Sequence, residues 1–311
     1  MIPSRRVLLT GAGASLIAAP LIAEDRNALP LALNGAWRQG GYAFGRTAPR
    51  ALIFVDGEAL TTASAAGLFV IGFDRGAGPT TQIEARSGDR SARRTLDIAP
   101  YAFPSTSVNG LPPSTVEPSD PALLARIQQE IALKTEGFAS RIDADDFKDG
   151  FFWPLESYRV SSAWGAQRVL NGTPARPHYG IDLAAPQGSV IRAPADGRIA
   201  FVRPDMHFEG GLTLIDHGQG LISCYLHQSR LDVVLGQRVR RGDALGRVGM
   251  TGRATGPHLC WRMKWRDRNL DPSLMIGARV PESLAYQRLL LRDYAYPLSL
   301  DQRSGGARCF L

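Results

Sequence analysis

Short runs of apolar residues separated by turn residues recur along most of the chain, a pattern typical of β-strands. In the first hundred residues the clearest runs are 51–55 and 67–73, and weaker ones follow at 81–84 and 91–98. The first run leads into Asp56-Gly57, a dipeptide that favours a tight hairpin turn. Strands at this spacing predict a β-sandwich-like accessory domain over residues 30–100.

A second set of strand patterns occupies residues 189–193, 198–202, 211–215, 221–226, 239–248 and 258–265. Between the two sets, residues 101–118 are rich in Pro, Ser and Gly, which is typical of a linker. Asp120-Pro121 then predicts the start of a helix that ends near Gly137. Its apolar face is predicted to comprise Leu123, Leu124, Ile127 and Ile131. We therefore expect a mainly β protein: an accessory domain, a linker with one helix at 101–150, a second β domain at 151–275, and a tail at 276–311.

The N-terminal segment has the order of features found in a secretory signal. Arg5 and Arg6 precede a mostly apolar stretch through Ala23, and Glu24-Asp25 follows. Paired arginines at this place favour a twin-arginine export signal over residues 1–24 and a location in the periplasm or cell envelope. The alternative is an uncleaved anchor that tethers the protein to a membrane.

Charge and cysteine content limit the classes of partner and fold. The formal net charge is +7 and the pI about 9.7, which suits an anionic partner. The arginines are scattered and no zinc-finger or RNP signature occurs, so we do not expect nucleic-acid binding. An odd number of cysteines, three, argues against a disulfide framework. Cys224 lies in an apolar run and is expected to be a small core residue.

The side chains that suggest chemistry lie in three short motifs of the second domain. His178 and Asp182 occur in His-Tyr-Gly-Ile-Asp, His227 ends Cys-Tyr-Leu-His, and His258 and Cys260 flank Leu259. On a strand, residues i and i+2 point to one face, so His258 and Cys260 share a face, as do His178 and Asp182 if their segment is extended. Imidazole, carboxylate and thiolate all bind zinc. A catalytic zinc takes three protein ligands, which His178, Asp182 and Cys260 would supply. His227 and His258 would then be free to act on water and on the developing oxyanion.

The stretch from about Trp153 to Leu274 resembles the lysostaphin/LytM-type zinc peptidases that cut peptidoglycan. The resemblance rests on an ordered set of motifs: 178–182, 188–194, Gly197, 215–218, 225–227, 239–246 and 251–259. It implies a small antiparallel β-sheet domain with a groove over a zinc ion, and peptidoglycan stem peptides or cross-links as substrate. It also implies that His178 and Asp182 are metal ligands and that His227 and His258 are catalytic.

The sequence departs from the family at one ligand position. The family motif ends His-x-His and its second His is the third metal ligand, whereas Cys260 stands there in this chain. A thiolate is a good zinc ligand, but it adds a negative charge and weakens the metal as a Lewis acid. One alternative to a zinc endopeptidase is a catalytically inactive family member that binds cell wall or regulates a cell-wall amidase, with Cys260 as a buried hydrophobe. Another is a plain interaction protein built from two β-domains. The sequence does not indicate an oligomeric state.

Overall fold

A computed structural model describes residues 29–282 of the 311-residue chain. The predicted export signal, and the predicted tail beyond Glu282, lie outside the described residues. Within them the protein is mainly β, with antiparallel pairing in almost all of its sheets, which confirms the predicted fold class. No helix among residues 29–282 combines the length and apolar character needed to cross a membrane.

Residues 32–97 form two small antiparallel sheets. Strands β1, β2 and β5 make a three-stranded sheet, and β4, β3, β6 and β7 make a four-stranded one. The bounds of the seven strands are β1 Ala32–Ala36, β2 Tyr42–Arg46, β3 Leu52–Val55, β4 Glu58–Thr62, β5 Leu68–Gly72, β6 Thr80–Ser87 and β7 Arg90–Asp97. Asp56 and Gly57 both have positive φ, at 51° and 88°, and join β3 to β4 as the predicted hairpin turn.

The stretch between these sheets and the second half of the chain contains more regular structure than its composition predicts. Strand β8 (Ser105–Val108) pairs in parallel with β10 (Gln167–Leu170), and a short helix α1 spans Pro113–Val116. Helix α2 spans Pro121–Phe138, and the Asp120 carboxylate caps it by accepting a hydrogen bond from Leu123 N at 2.7 Å. This confirms both the start and the end of the predicted helix.

The predicted apolar face of α2 is only partly correct. Ile127 is buried, but Leu124 is 40% exposed and Ile131 is 45% exposed. The helix also contacts the large sheet through polar groups, since the Glu130 carboxylate accepts a hydrogen bond from His207 N, and near its C-terminus a Cβ on Gly137 would lie 2.8 Å from Phe201. Two of the four predicted apolar positions, Leu124 and Ile131, therefore face outward, and Ile127 is the one that is fully buried.

The second half of the chain is built on an eight-stranded sheet. Its strands run in the order β18-β14-β15-β16-β20-β12-β9, and β21 pairs with β20. A small sheet of β13, β19 and β17 lies beside it, and β11 pairs with β10. The remaining bounds are β9 Arg159–Ser162, β11 Thr173–Pro174, β12 Ile181–Ala184, β13 Val190–Arg192, β14 Gly197–Met206, β15 Gly210–Asp216, β16 Leu221–Gln228, β17 Arg230–Leu231, β18 Arg238–Val239, β19 Ala244–Arg247, β20 His258–Trp265 and β21 Arg268–Leu270, followed by a 3-10 helix at Pro272–Met275.

One hydrophobic core joins the N-terminal sheets to the large sheet. Phe44 and Ile71 from the first set of strands belong to the same buried cluster as Trp261 and Trp265 from β20. The two parts approach so closely at Gly72 that a Cβ there would lie 2.6 Å from the Leu270 side chain. A second cluster, which includes Cys224, Cys260 and Phe201, lies on the opposite face of the large sheet, beneath α2. The predicted role of Cys224 as a core residue agrees with this placement.

Candidate metal centre and active site

Neighbouring strands of the large sheet bring three of the predicted site residues together. Asp182 on β12 is directly opposite Cys260 on β20, and His178 lies just before β12. All three side chains are buried. One ligand atom from each residue can be chosen so that all three lie within 4.8 Å of one another. The segment that carries Asp182 is extended, as the i and i+2 argument requires.

The three potential ligand atoms lie close to one another. His178 Nε2 lies 3.0 Å from Asp182 Oδ1 and 3.2 Å from Cys260 Sγ. Burial lowers the pKa of His178 below its ordinary value of 6.5, so the ring is neutral at pH 7. Its Nδ1 lies 3.2 Å from the Ser162 hydroxyl, which can accept that nitrogen's proton. Asp182 Oδ1 is buried without a hydrogen-bond partner. A buried carboxylate oxygen without a donor, beside an imidazole nitrogen and a sulfur, fits a divalent cation that accepts N, O and S ligands.

Arg168 fixes the second oxygen of the Asp182 carboxylate. Its Nη2 donates to Asp182 Oδ2 at 2.6 Å and to Ser162 Oγ at 3.3 Å. Burial alone would raise the pKa of Asp182, but the charged guanidinium of Arg168 opposes that effect, and the pKa of Asp182 lies below its usual range. The carboxylate is therefore ionised, with Oδ2 engaged by Arg168 and Oδ1 directed toward His178 and Cys260. Arg168 could not be identified from the sequence, because it lies on β10 outside every motif that suggested chemistry.

Burial raises the pKa of the Cys260 thiol to about 12. The thiol is therefore protonated at neutral pH unless a cation takes the place of its proton. The guanidinium group of Arg262 contacts this sulfur, because Arg262 Nε donates a hydrogen bond to Cys260 Sγ at 3.4 Å. A bound metal ion would deprotonate a thiol outright, so the buried sulfur can still serve as a ligand.

The two predicted catalytic histidines lie side by side next to this cluster. The ring centroids of His227 and His258 are 4.6 Å apart, and His258 Nε2 is 3.8 Å from Asp182 Oδ1. His227 Nδ1 is 2.8 Å from Thr251 O, and His258 Nδ1 is 2.8 Å from Gly256 O. A carbonyl can only accept, so each Nδ1 carries a proton and each Nε2 keeps a lone pair when the ring is neutral. Burial, with the neighbouring His258, lowers the pKa of His227 to about 3 and keeps that ring neutral.

Residues 176–272, which contain all five of these side chains, match peptidase family M23. The chain contains an M23 peptidase domain. This confirms the resemblance to lysostaphin/LytM-type peptidases. A DD-carboxypeptidase/endopeptidase, Mpg, of Neisseria meningitidis serogroup B is 39% identical over 136 residues, which cover 43% of this chain and 31% of that protein. The peptidoglycan DD-endopeptidase ShyA of Vibrio cholerae is 36% identical over 121 residues, 38% of this chain and 28% of ShyA. The chain thus spans less than a third of the length of these relatives.

Solved structures extend the likeness beyond the M23 domain. A Pseudomonas aeruginosa crystal structure described as a candidate M23 peptidase superposes with a TM-score of 0.59 and 29% sequence identity. The alignment covers 78% of this chain and 96% of that one. Because 78% of the chain is far more than the matched residues 176–272, the likeness to that structure is not confined to the M23 domain.

A cavity of about 1060 Å³ opens over the M23 site. Besides the five site residues, it is lined by cationic side chains: Lys134, Arg159, Arg168, Arg176, Arg253, Arg262 and Lys264. The two carboxylates in the lining, Asp182 and Glu209, are already paired with Arg168 and Lys134. The groove therefore carries an excess of positive charge that no carboxylate in its lining offsets, which favours an anionic ligand.

Proposed function

We propose that this protein is a zinc-dependent endopeptidase that hydrolyses peptide bonds in peptidoglycan stem peptides or cross-links. The observation that carries the proposal is the convergence of His178, Asp182 and Cys260 beside His227 and His258. The M23 match and the names of the DD-endopeptidase relatives support it.

His178 Nε2, Asp182 Oδ1 and Cys260 Sγ would hold the zinc ion. Bound zinc polarises a scissile carbonyl and lowers the pKa of water, to about 7 in hydrolytic sites of this kind. Arg168 keeps Asp182 ionised and leaves Oδ1 available, and the Ser162 hydroxyl orients the His178 ring through Nδ1. The ligand set is therefore positioned before any metal arrives.

His227 and His258 would carry the proton during hydrolysis. Both rings are held by a backbone carbonyl at Nδ1, so their Nε2 atoms are the ones free to accept a proton from the attacking water. The ring that accepts that proton then presents an N–H at Nε2, which can stabilise the developing oxyanion or protonate the leaving amine. Two adjacent imidazoles can divide these roles.

The charge of the groove fits the proposed substrate. Peptidoglycan stem peptides carry free carboxylates, and Arg159, Arg176 and Arg253 line the groove without a carboxylate partner in that lining. Such a surface raises the local concentration of an anionic chain and is weakened by salt. An exported protein of the cell envelope, as the N-terminal segment predicts, would meet this substrate.

Release of muropeptides from purified sacculi by the zinc-loaded full chain tests the proposal. The wild type should release soluble fragments, and His258→Ala should reduce the rate by about 10²–10⁴ while retaining zinc. His207→Ala is the matched control, because His207 lies in a turn and its ring contacts Ser114 O rather than the site. Equal rates for the wild type and His258→Ala would contradict the proposed role of that ring. A zinc-loaded wild type that releases nothing, under conditions where another M23 enzyme does, would favour the alternative of an inactive wall-binding or regulatory protein.

A further inference from the structure

Arg262 occupies a defined position next to the sulfur of Cys260. It lies two residues along β20 from Cys260, so both side chains leave the same face of the sheet. The pairing of Asp182 with Cys260 places Gly180 beside Arg262 on the neighbouring segment. A Cβ on Gly180 would lie 2.6 Å from Cys260 Sγ and 2.9 Å from Arg262 Cγ. The arginine stem thus occupies space that only a glycine at position 180 leaves free.

The guanidinium group of Arg262 is directed at the sulfur rather than at a carboxylate. Its Nε donates to Cys260 Sγ at 3.4 Å, and this is the single hydrogen bond that the guanidinium makes within residues 29–282. No carboxylate in the described part of the chain lies within salt-bridge distance of it; the nearby Glu209 pairs with Lys134. An arginine is charged at every accessible pH, so a permanent positive charge faces the thiol.

The position of Arg262 matters because a thiolate ligand adds a negative charge to the zinc site. With two imidazoles and one carboxylate, a zinc site of this kind would contain one anionic ligand, whereas His178, Asp182 and Cys260 supply two. The second anion weakens the electrophilic character of the metal. Each anionic ligand in this chain has its own arginine, since Arg168 contacts Asp182 and Arg262 contacts Cys260.

We propose that Arg262 is a positioning residue for Cys260, which holds the ligand sulfur in place through a hydrogen bond and offsets the negative charge that the sulfur brings to the zinc site. The inference rests on the zinc site proposed above. It assigns a function to a side chain that no motif indicates, and it predicts that Arg262 matters only while position 260 is a cysteine. Hydrogen bonds to ligands of this kind typically change metal affinity by about 10–100-fold when they are removed.

A cycle of four full-length proteins tests this: wild type, Arg262→Met, Cys260→His and the double variant. Methionine keeps the length of the stem and removes both charge and donor. In the cysteine background, Arg262→Met should lower zinc affinity by about 10–100-fold. In the histidine background the same change should leave zinc affinity unchanged or raise it, because a cation beside a neutral imidazole repels the metal. A thermal melt of each protein identifies any variant that has lost its fold.

Cobalt(II), bound in place of zinc under reducing conditions, gives a readout that does not depend on activity. A positive donor on the sulfur lowers the energy of its lone pairs, so charge transfer from sulfur to cobalt needs more energy. Arg262→Met should therefore move this absorption band to longer wavelength. Arg262→Gln, which keeps a donor without the charge, should shift it less. Lys264→Met is the matched control, because Lys264 lies two residues further along β20 and its Nζ is over the Phe138 ring, 4.8 Å from the centroid.

Different results would contradict the role of Arg262 and the existence of the zinc site. An equal loss of zinc affinity in the cysteine and histidine backgrounds would show that Arg262 is structural and would overturn the inference. So would a cobalt band that does not respond to Arg262→Met in a protein that binds the metal through Cys260. A wild type that binds neither zinc nor cobalt would overturn the metal site and the inference with it.

Discussion

Asp182 and Cys260 are directly opposite residues on the antiparallel strands β12 and β20. Their side chains therefore leave the same face of the sheet as close neighbours. A slip of one residue between the two strands would turn one of these side chains to the other face. The candidate metal centre is thus fixed by strand register, with His178 added from the segment that enters β12.

The glycine between His178 and Asp182 should be required for the site. In Gly180→Ala the new Cβ would lie 2.6 Å from Cys260 Sγ, a distance that forces the sulfur or the strand to move. We expect this variant to fold but to lose most of its zinc, measured by elemental analysis after dialysis. Gly256→Ala is the control, because a Cβ there meets no atom within 4 Å although the residue lies next to the site. Full zinc content in Gly180→Ala would show that the packing described here does not hold the ligand in place.

Arg168 should contribute to both stability and metal binding. Arg168→Met leaves the buried Asp182 carboxylate without its partner at Oδ2, and uncompensated buried charges are costly. We expect zinc affinity about 10–100-fold lower, and a lower melting temperature for the zinc-free protein. Arg159→Met removes a cation from the same groove that has no carboxylate partner among residues 29–282, and it should change neither quantity. Titration with a fluorescent zinc indicator compares the variants, and matching affinities for the two would argue against the role of Arg168.

The zinc-free protein should lose stability as the pH falls below about 6.5. The pKa of His227 is about 3 in the folded protein and 6.5 ordinarily, so the unfolded chain takes up a proton first as the pH falls. The stabilisation is fully present above 6.5 and is lost as the pH falls toward 3, at about 1.4 kcal/mol per pH unit. Denaturant unfolding at pH 7.5 and 5.5 should show that the wild type loses about 1 kcal/mol more than His227→Gln over this interval. An equal loss in the two proteins would mean that His227 is not buried as a neutral ring.

Strand patterns predicted the fold class and the two pairs His258 with Cys260 and His178 with Asp182, and the resemblance to LytM-type peptidases added the expectation that His227 joins them in one site. Because i and i+2 residues share a strand face, the convergence of His258 with Cys260 follows from the sequence once β20 is identified. The hairpin at Asp56-Gly57 and the cap at Asp120 were also predictable, because their chemistry is local.

Contacts between residues distant in sequence could not be predicted in this way. Arg168 reaches Asp182 from β10, and the space that Cys260 and Arg262 share depends on Gly180, about 80 residues earlier in the chain. Strand β8 could not be predicted from its sequence, because it lies in a stretch of turn-forming residues. It is a strand because it pairs with β10, which is distant in sequence. The exposure of Leu124 and Ile131 on α2 has the same origin, because contacts with distant residues, such as Glu130 with His207 and Lys134 with Glu209, help to hold the helix.

Zinc content of the wild type, Cys260→Ala and Cys260→His, purified side by side without chelator under reducing conditions, tests the central claim most directly. The claim is that His178, Asp182 and Cys260 together hold one catalytic zinc ion. We expect about one zinc per chain in the wild type and in Cys260→His, and almost none in Cys260→Ala. Because the histidine variant has one anionic ligand fewer, it should also digest sacculi at least as fast as the wild type. Unchanged zinc in Cys260→Ala, or a wild type to which added zinc does not bind, would contradict the account.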